Sequence, residues 1–177
     1  MDNTIISGRI SGGITDPNSK DAELHAKMYY EEIRHMTTDV KRIAQNTGFT
    51  ESQIMLVKNY LFIAEHELYG GFRKFDPCFE IAESWRRLAF DKENIQPHDI
   101  ILIKHELKEM SLIAQGLSQE EAHTIASQEY NYSAGYKDYY NSLGIRTKEK
   151  KEDITSGAVV IKKKQIETDD DYEYSRW

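Results

Sequence analysis

Apolar residues recur every three to five positions through most of the chain between residues 21 and 145, a spacing that is typical of amphipathic helices. Breaks in this pattern coincide with helix-ending glycines such as Gly48 and Gly116, and with capping boxes that begin at Thr50 and Ser118. The pattern predicts helices over 21–46, 51–68, 77–90, 97–115, 119–130 and 134–143. We therefore expect a mainly α fold, a compact bundle of five or six helices.

The two ends of the chain have a different composition. Residues 1–20 are rich in Gly, Ser, Asn and Asp, which predicts a flexible leader. Residues 146–177 contain runs of charged side chains and predict a charged tail that is mostly irregular, in which 158–161 could form a short strand. The sequence thus indicates a leader, a helical domain over 21–145 and a tail.

Composition narrows the classes of function. The formal net charge is −7, and because the acidic and basic residues of the two ends cancel, this charge lies in the helical domain. Such a charge argues against broad nucleic-acid binding, which depends on clustered Lys and Arg. No apolar run is long enough for a membrane span, and the first residues do not form a signal peptide. Cys78 is the only cysteine, so an internal disulfide and a cysteine-based zinc site are excluded.

Two of the predicted helices carry a histidine on a second, partly apolar face. Helix 97–115 has one face formed by Ile100, Ile103, Leu107, Met110 and Ala114, and a nearly opposite stripe formed by His98, Leu102, His105, Glu109 and Leu112. Helix 51–68 places His66 opposite its main apolar face in the same way. Helices that are apolar on two sides usually lie at the centre of a bundle. We therefore expect His66 and His105 to share a partly buried polar site.

The residues around His105 favour a metal site. His105 and Glu109 project from adjacent turns, and the string His-Glu-x-x-Glu resembles the zinc-peptidase pattern His-Glu-x-x-His. In this interpretation His105, Glu109 and His66 bind one divalent metal ion such as zinc, and Glu106 activates water. His123 is the other residue that helix packing could bring to the third ligand position.

A metal-free alternative uses the same residues as acid-base groups. Here the pairs His105-Glu106 and His66-Glu67 transfer protons, while Arg86 and Lys104 bind an anionic substrate such as a phosphodiester. Structural roles remain open for all of them, because helical His-Glu pairs, arginines and lysines often make only surface contacts. The tyrosines of 130–140 indicate a packing stripe or an interface, and the helix 119–130 lacks the basic residues that a DNA-reading helix needs.

Several strings spread over most of the chain resemble a module found in C-terminal regions of phage minor head proteins and Gram-positive polymorphic toxins. They are Gly8-Arg9-Ile10-Ser11-Gly12, Asp39-Val40-x-x-Ile43-Ala44-x-Asn46-Thr47-Gly48, Phe75-Asp76-Pro77, Ala82-Glu83-Ser84-Trp85-x-Arg87-Leu88, Asn94-Ile95-Gln96-Pro97-His98-Asp99 and Leu102-Ile103-Lys104-His105-Glu106. The resemblance implies a variable module on a delivery or capsid scaffold, often a toxic nuclease or peptidase. It assigns no catalytic residue.

Taken together, these features predict a phage or mobile-element effector with hydrolase activity, either a metal-dependent hydrolase or a nuclease. The protein would be cytoplasmic, delivered into a target cell or carried in a phage particle, with an immunity or phage protein as a partner. The alternative is a non-enzymatic interaction protein that acts through an acidic, tyrosine-rich surface. A DNA-binding regulator is a third possibility that the charge disfavours.

Overall fold

Helices dominate the chain, as the sequence predicts. The computed structural model describes residues 16–68 and 70–147. Within them the α-helices are α1 (Lys20–His35), α2 (Asp39–Thr47), α3 (Glu51–Lys58), α4 (Phe79–Phe90), α5 (Pro97–Ala114), α6 (Gln119–Glu129) and α7 (Tyr132–Ser142). A π-helical turn (Asn59–Ile63) follows α3, a 3-10 turn (Lys92–Asn94) follows α4, and a hairpin joins β1 (His66–Leu68) to β2 (Gly71–Arg73). The predicted mainly α bundle is confirmed.

The first predicted helix is two helices, because the backbone becomes extended at Met36, with φ −62° and ψ 140°. The buried side chain of Lys58 fixes this break: its Nζ donates to the Met36 carbonyl oxygen at 2.8 Å and to Asp39 Oδ1 at 2.9 Å. Trp85 Nε1 donates to the other carboxylate oxygen of Asp39 at 3.0 Å. The start of α2 is therefore bound to α3 and α4 by buried hydrogen bonds that the helical periodicity does not contain.

The second predicted helix also ends early. After Lys58 the chain widens into the π-helical turn, in which the Ala64 N–H donates to the Asn59 carbonyl oxygen at 2.7 Å. The hairpin then begins, with His66 paired to Arg73. Gly70 in its turn and Gly71 at the start of β2 have φ values of 93° and 116°, which side-chain-bearing residues rarely adopt. The expectation that His66 lies on a helix was wrong.

Helix α5 packs against α3, α4, α6 and α7, and the stripe containing polar residues is the more buried one. His98, Leu102, His105 and Glu109 are at most 3% exposed. On the expected main face Ile103 is buried, but its neighbours Ile100, Leu107 and Met110 are only half-buried and Ala114 is exposed. The ranking of the two faces was therefore wrong, because hydrogen bonds and ion pairs allow polar side chains to occupy the interior.

The hydrophobic core surrounds Trp85, with Phe62 edge-on to its ring at 5.0 Å. Tyr132, Tyr136 and Tyr140 form the buried face of α7, so the tyrosine stripe is a packing surface at these positions. Among the residues with described coordinates, no helix combines the length and the hydropathy that a bilayer span requires. The predicted strand at 158–161, most of the leader and nearly all of the tail lie outside the described residues.

Candidate metal centre

Helices α5 and α6 bring three side chains with metal-binding atoms together: His105, Glu109 and His123. His105 Nε2 lies 3.2 Å from Glu109 Oε2 and 3.2 Å from His123 Nδ1. His123 Nδ1 lies 2.9 Å from Glu109 Oε2. These three atoms form a small, nearly equilateral triangle. We refer to His105, Glu109 and His123 together as the metal group.

The chain forms this triangle by turning tightly between α5 and α6. Gly116 ends α5 with φ 99°, and Ser118 begins α6 through a capping box in which its Oγ accepts from the Glu121 N–H at 3.3 Å while Glu121 Oε2 accepts from the Ser118 N–H at 2.9 Å. The buried Ala122 and Ala126 let α6 pack closely along α5. His123 is thereby placed beside the His105-Glu109 pair.

The outward-facing atom of each side chain has a protein partner of its own. His105 Nδ1 donates to the Tyr130 carbonyl oxygen at 2.9 Å, and the Tyr60 hydroxyl donates to Glu109 Oε1. His123 Nε2 lies 3.5 Å from Ser127 Oγ. Because a carbonyl can only accept, His105 Nδ1 carries a proton, and an imidazole with its single proton at Nδ1 presents a lone pair at Nε2. Metal-binding side chains are commonly oriented by outer hydrogen bonds of this kind.

The triangle suits a cation. When His123 Nδ1 carries a proton, it donates to Glu109 Oε2; without that proton, three acceptor atoms face one another and repel unless a cation lies between them. In a tetrahedral zinc site with bonds of about 2.0–2.1 Å, ligand atoms lie about 3.3 Å apart, close to the separations here. Two imidazoles and one carboxylate form the ligand set of catalytic zinc sites that keep a fourth position open. Nitrogen ligands also favour a transition metal over magnesium or calcium.

Burial gives the group a protected side and an accessible side. The side chains of His105 and Glu109 are 0% exposed, whereas that of His123 is 29% exposed. A ligand from solvent would therefore reach the group next to His123. Exclusion of water from the other side strengthens the electrostatic interactions there.

The predicted site residues are grouped differently in the structure than the sequence analysis expects. His105 and Glu109 lie together, but His66 is not a member of their group, and His123 occupies the third position. His66 Nε2 donates to the Tyr60 carbonyl oxygen at 2.8 Å, and its ring stacks on Phe75 with centroids 4.0 Å apart. His66 is connected to the metal group through Tyr60, whose hydroxyl donates a hydrogen bond to Glu109.

The remaining predicted residues divide between the core and the surface. Glu106 is fully buried on α5, while Glu67 and Lys104 are exposed. Arg86 lies in a different cavity of about 560 Å³, none of whose lining residues belongs to the metal group. There it donates to Glu83 Oε2 at 3.1 Å and to Asp91 Oδ2 at 3.2 Å. Arg86 thus makes two salt bridges and lies apart from the group that contains His105.

Sequence reasoning missed the outer partners Tyr60, Tyr130 and Ser127. Tyr130 contributes a backbone carbonyl, which every residue type possesses, so no sequence signal could identify it. Tyr60 lies in the π-helical turn, where the usual helical spacing misplaces side chains. The position of His123 had a signal, since it directly follows Ala122 in a helix whose alanines mark the buried face.

An ion-pair network at the first turn of α5 holds this helix against α4. Arg87 donates to Asp99 at 2.7 Å and 2.8 Å and to His98 Nε2 at 3.1 Å. Burial opposes the charge of Arg87, but the hydrogen bonds and charge of Asp99 outweigh it and hold the pKa of Arg87 above its usual range. Burial, with a further contribution from the Arg87 charge, lowers the pKa of His98 to about 4, although Asp99 acts in the opposite direction. His98 is therefore neutral at pH 7.

Comparisons with models of protein families, with curated proteins and with solved structures find no match to this chain. Its class is accordingly defined by fold and site: an α-helical protein with two histidines and one glutamate in metal-binding geometry.

Proposed function

We propose that this protein is a divalent-metal-dependent hydrolase whose metal ion, preferably zinc, is bound by His105 Nε2, Glu109 Oε2 and His123 Nδ1. The convergence of these three atoms within 3.2 Å of one another carries the proposal. Their outward-facing atoms interact with protein groups, and outer contacts of this kind commonly orient the side chains that bind a metal ion.

The proposed chemistry is hydrolysis at the accessible side of the group. A zinc ion with a free position acts as a Lewis acid and makes water a better nucleophile at neutral pH. Glu106 follows His105 directly, is fully buried, and is the proposed proton acceptor for that water. The resemblance to modules of phage minor head proteins and Gram-positive polymorphic toxins implies an effector that is often a nuclease or peptidase, so the proposed substrate is a polypeptide or a nucleic acid.

Zinc titration tests the metal site. Purified protein should bind one equivalent of zinc, measured by calorimetry and by elemental analysis after dialysis. His123→Ala should weaken binding by more than 100-fold, because a two-residue site remains. His35→Ala is the matched control, since it removes an exposed helical histidine outside the group and should bind like wild type. Equal affinities of all three proteins would refute the site.

Growth inhibition tests the activity. Expression of the wild-type protein inside bacteria should arrest growth, and the folded variant His105→Ala should not. Zinc-loaded protein should also cleave an unstructured polypeptide or a mixed RNA, and a chelator should stop that cleavage. Equal toxicity of wild type and His105→Ala would reject the hydrolase proposal. Chelator-resistant cleavage would instead support the metal-free acid-base alternative.

The non-enzymatic alternative makes a different prediction. An interaction protein should tolerate His105→Ala and retain its partner when purified from cells. The burial of Tyr132, Tyr136 and Tyr140 removes the centre of the tyrosine-rich surface on which this alternative depends. The hydrolase is therefore the function that we favour.

A further inference from the structure

We infer that Tyr60 is a positioning residue of the metal group, which restricts Glu109 to binding the metal through one oxygen. The inference rests on the proposed metal site at His105, Glu109 and His123. It assigns a role to a residue on a different part of the chain, in the π-helical turn that follows α3.

The two oxygens of Glu109 have different partners. Oε2 faces His105 Nε2 and His123 Nδ1, while Oε1 accepts a hydrogen bond from the Tyr60 hydroxyl. An ionised carboxylate has no proton to donate, so the phenol is the donor. This hydrogen bond competes with coordination through Oε1. The metal ion would then receive three protein atoms, and a fourth position stays available for water or substrate.

Tyr60 is held in place by the hairpin. Its carbonyl oxygen accepts from His66 Nε2 at 2.8 Å, and its ring packs edge-on against His66 and Phe75, with centroids 4.6 Å and 5.6 Å away. A π-helical turn changes the direction of side chains relative to an α-helix, and such turns are frequent at functional sites. Here the turn lets a side chain that precedes the hairpin reach Glu109 on α5. His66 therefore contributes to the metal group through Tyr60.

The test compares Tyr60→Phe with wild type and with Tyr139→Phe. Tyr139 is a half-buried tyrosine that lines the other cavity, so its variant controls for loss of a phenol. Competition with a chromogenic chelator should show zinc binding weakened about 10-fold or more in Tyr60→Phe and unchanged in Tyr139→Phe. With cobalt(II) in place of zinc, wild type should give the intense visible absorption of four-coordinate cobalt. Tyr60→Phe should give a weaker band, because both oxygens of Glu109 can then bind.

Wild-type zinc affinity together with a wild-type cobalt spectrum in Tyr60→Phe would overturn the inference. Failure of the wild-type protein to bind zinc would instead refute the proposed site itself, so the two failures are distinguishable. Circular dichroism checks that Tyr60→Phe folds. Proton NMR tests the same hydrogen bond in the wild-type protein. The Tyr60 hydroxyl proton should give a downfield resonance, and its chemical shift should change when zinc binds. Absence of that resonance would also contradict the inference.

Discussion

Two carboxylates on α5, those of Glu106 and Glu109, lie three residues apart but differ in their surroundings. Glu109 and Glu106 are both fully buried, which is costly for a charged group unless partners stabilise it. Glu109 belongs to the metal group, whereas Glu106 follows His105 on an adjacent face of the helix. The two residues should therefore have separable roles, one in holding the metal ion and one in transferring a proton.

Replacement of each glutamate by glutamine tests this division. Glu109→Gln should lose high-affinity zinc binding, because an amide oxygen is a much weaker ligand than a carboxylate. Glu106→Gln should bind zinc within about threefold of wild type and lose about 100-fold or more of the hydrolytic rate, the usual contribution of a general base. Calorimetry and the cleavage assay measure the two effects. Loss of zinc binding in Glu106→Gln would show that this residue is a ligand.

The buried imidazole of His98 predicts a pH dependence of stability. Its pKa falls to about 4 in the folded protein, below the usual value near 6.5, so the unfolded chain takes up a proton first as the pH is lowered. The stabilisation from neutral His98 is complete above about pH 6.5 and decreases by up to about 3 kcal/mol as the pH approaches 4. Urea unfolding of wild type and His98→Gln should show their difference in free energy of unfolding shrinking over this range. A pH-independent difference would contradict the assignment.

At the scale of elements, Gly135 on α7 packs directly against His98 on α5. A Cβ atom added there would lie 2.6 Å from His98 Cβ, a separation that real Cβ atoms essentially never show. The glycine is therefore required by the packing of two helices, since its own backbone is helical. Its position links the packing of α7 to the network of His98, Arg87 and Asp99.

Gly135→Ala should destabilise the protein although alanine favours helices. The gain in helix propensity is about 1 kcal/mol, and overpacking against His98 costs about 1–3 kcal/mol. We expect a net loss of about 1 kcal/mol in the free energy of unfolding, measured by urea titration. Asp138→Ala, at an exposed position of α7, should change it by less than about 0.5 kcal/mol. A Gly135→Ala variant more stable than wild type would disprove the close approach.

The elements also show what local patterns could predict. The capping boxes at Thr50 and Ser118 and the proline at Pro97 predicted where three helices begin, and α3, α5 and α6 begin at those places. The break at Met36 and the hairpin at His66 depend on the distant side chain of Lys58 and on two glycines with positive φ, which override helical periodicity. The pair His105-Glu109 followed from its spacing within one helix. The alanines of α6 indicated its buried face next to His123, but they did not exclude His66, because the choice between the two histidines depends on how α6 packs on α5.

At the scale of the whole molecule, the metal group joins separate parts of the chain. His105 and Glu109 lie on α5, His123 lies on α6, and Tyr60 reaches Glu109 from the turn that precedes the hairpin. The unfolded chain does not hold these parts together, so a metal ion should bind the folded state far more tightly. Binding energy of this kind adds directly to the free energy of unfolding.

Zinc should therefore raise the melting temperature of the protein. Free zinc at 100 times its dissociation constant adds about 2.7 kcal/mol to the stability of the folded state. For a chain of 177 residues this corresponds to an increase of roughly 5–10 °C, which differential scanning calorimetry can measure. The increase should disappear with a chelator and in His123→Ala, and it should persist in His35→Ala because His35 lies outside the group. A similar increase in His123→Ala would mean that zinc stabilises the fold from another place, since the paired ligands of α5 alone cannot join the two helices.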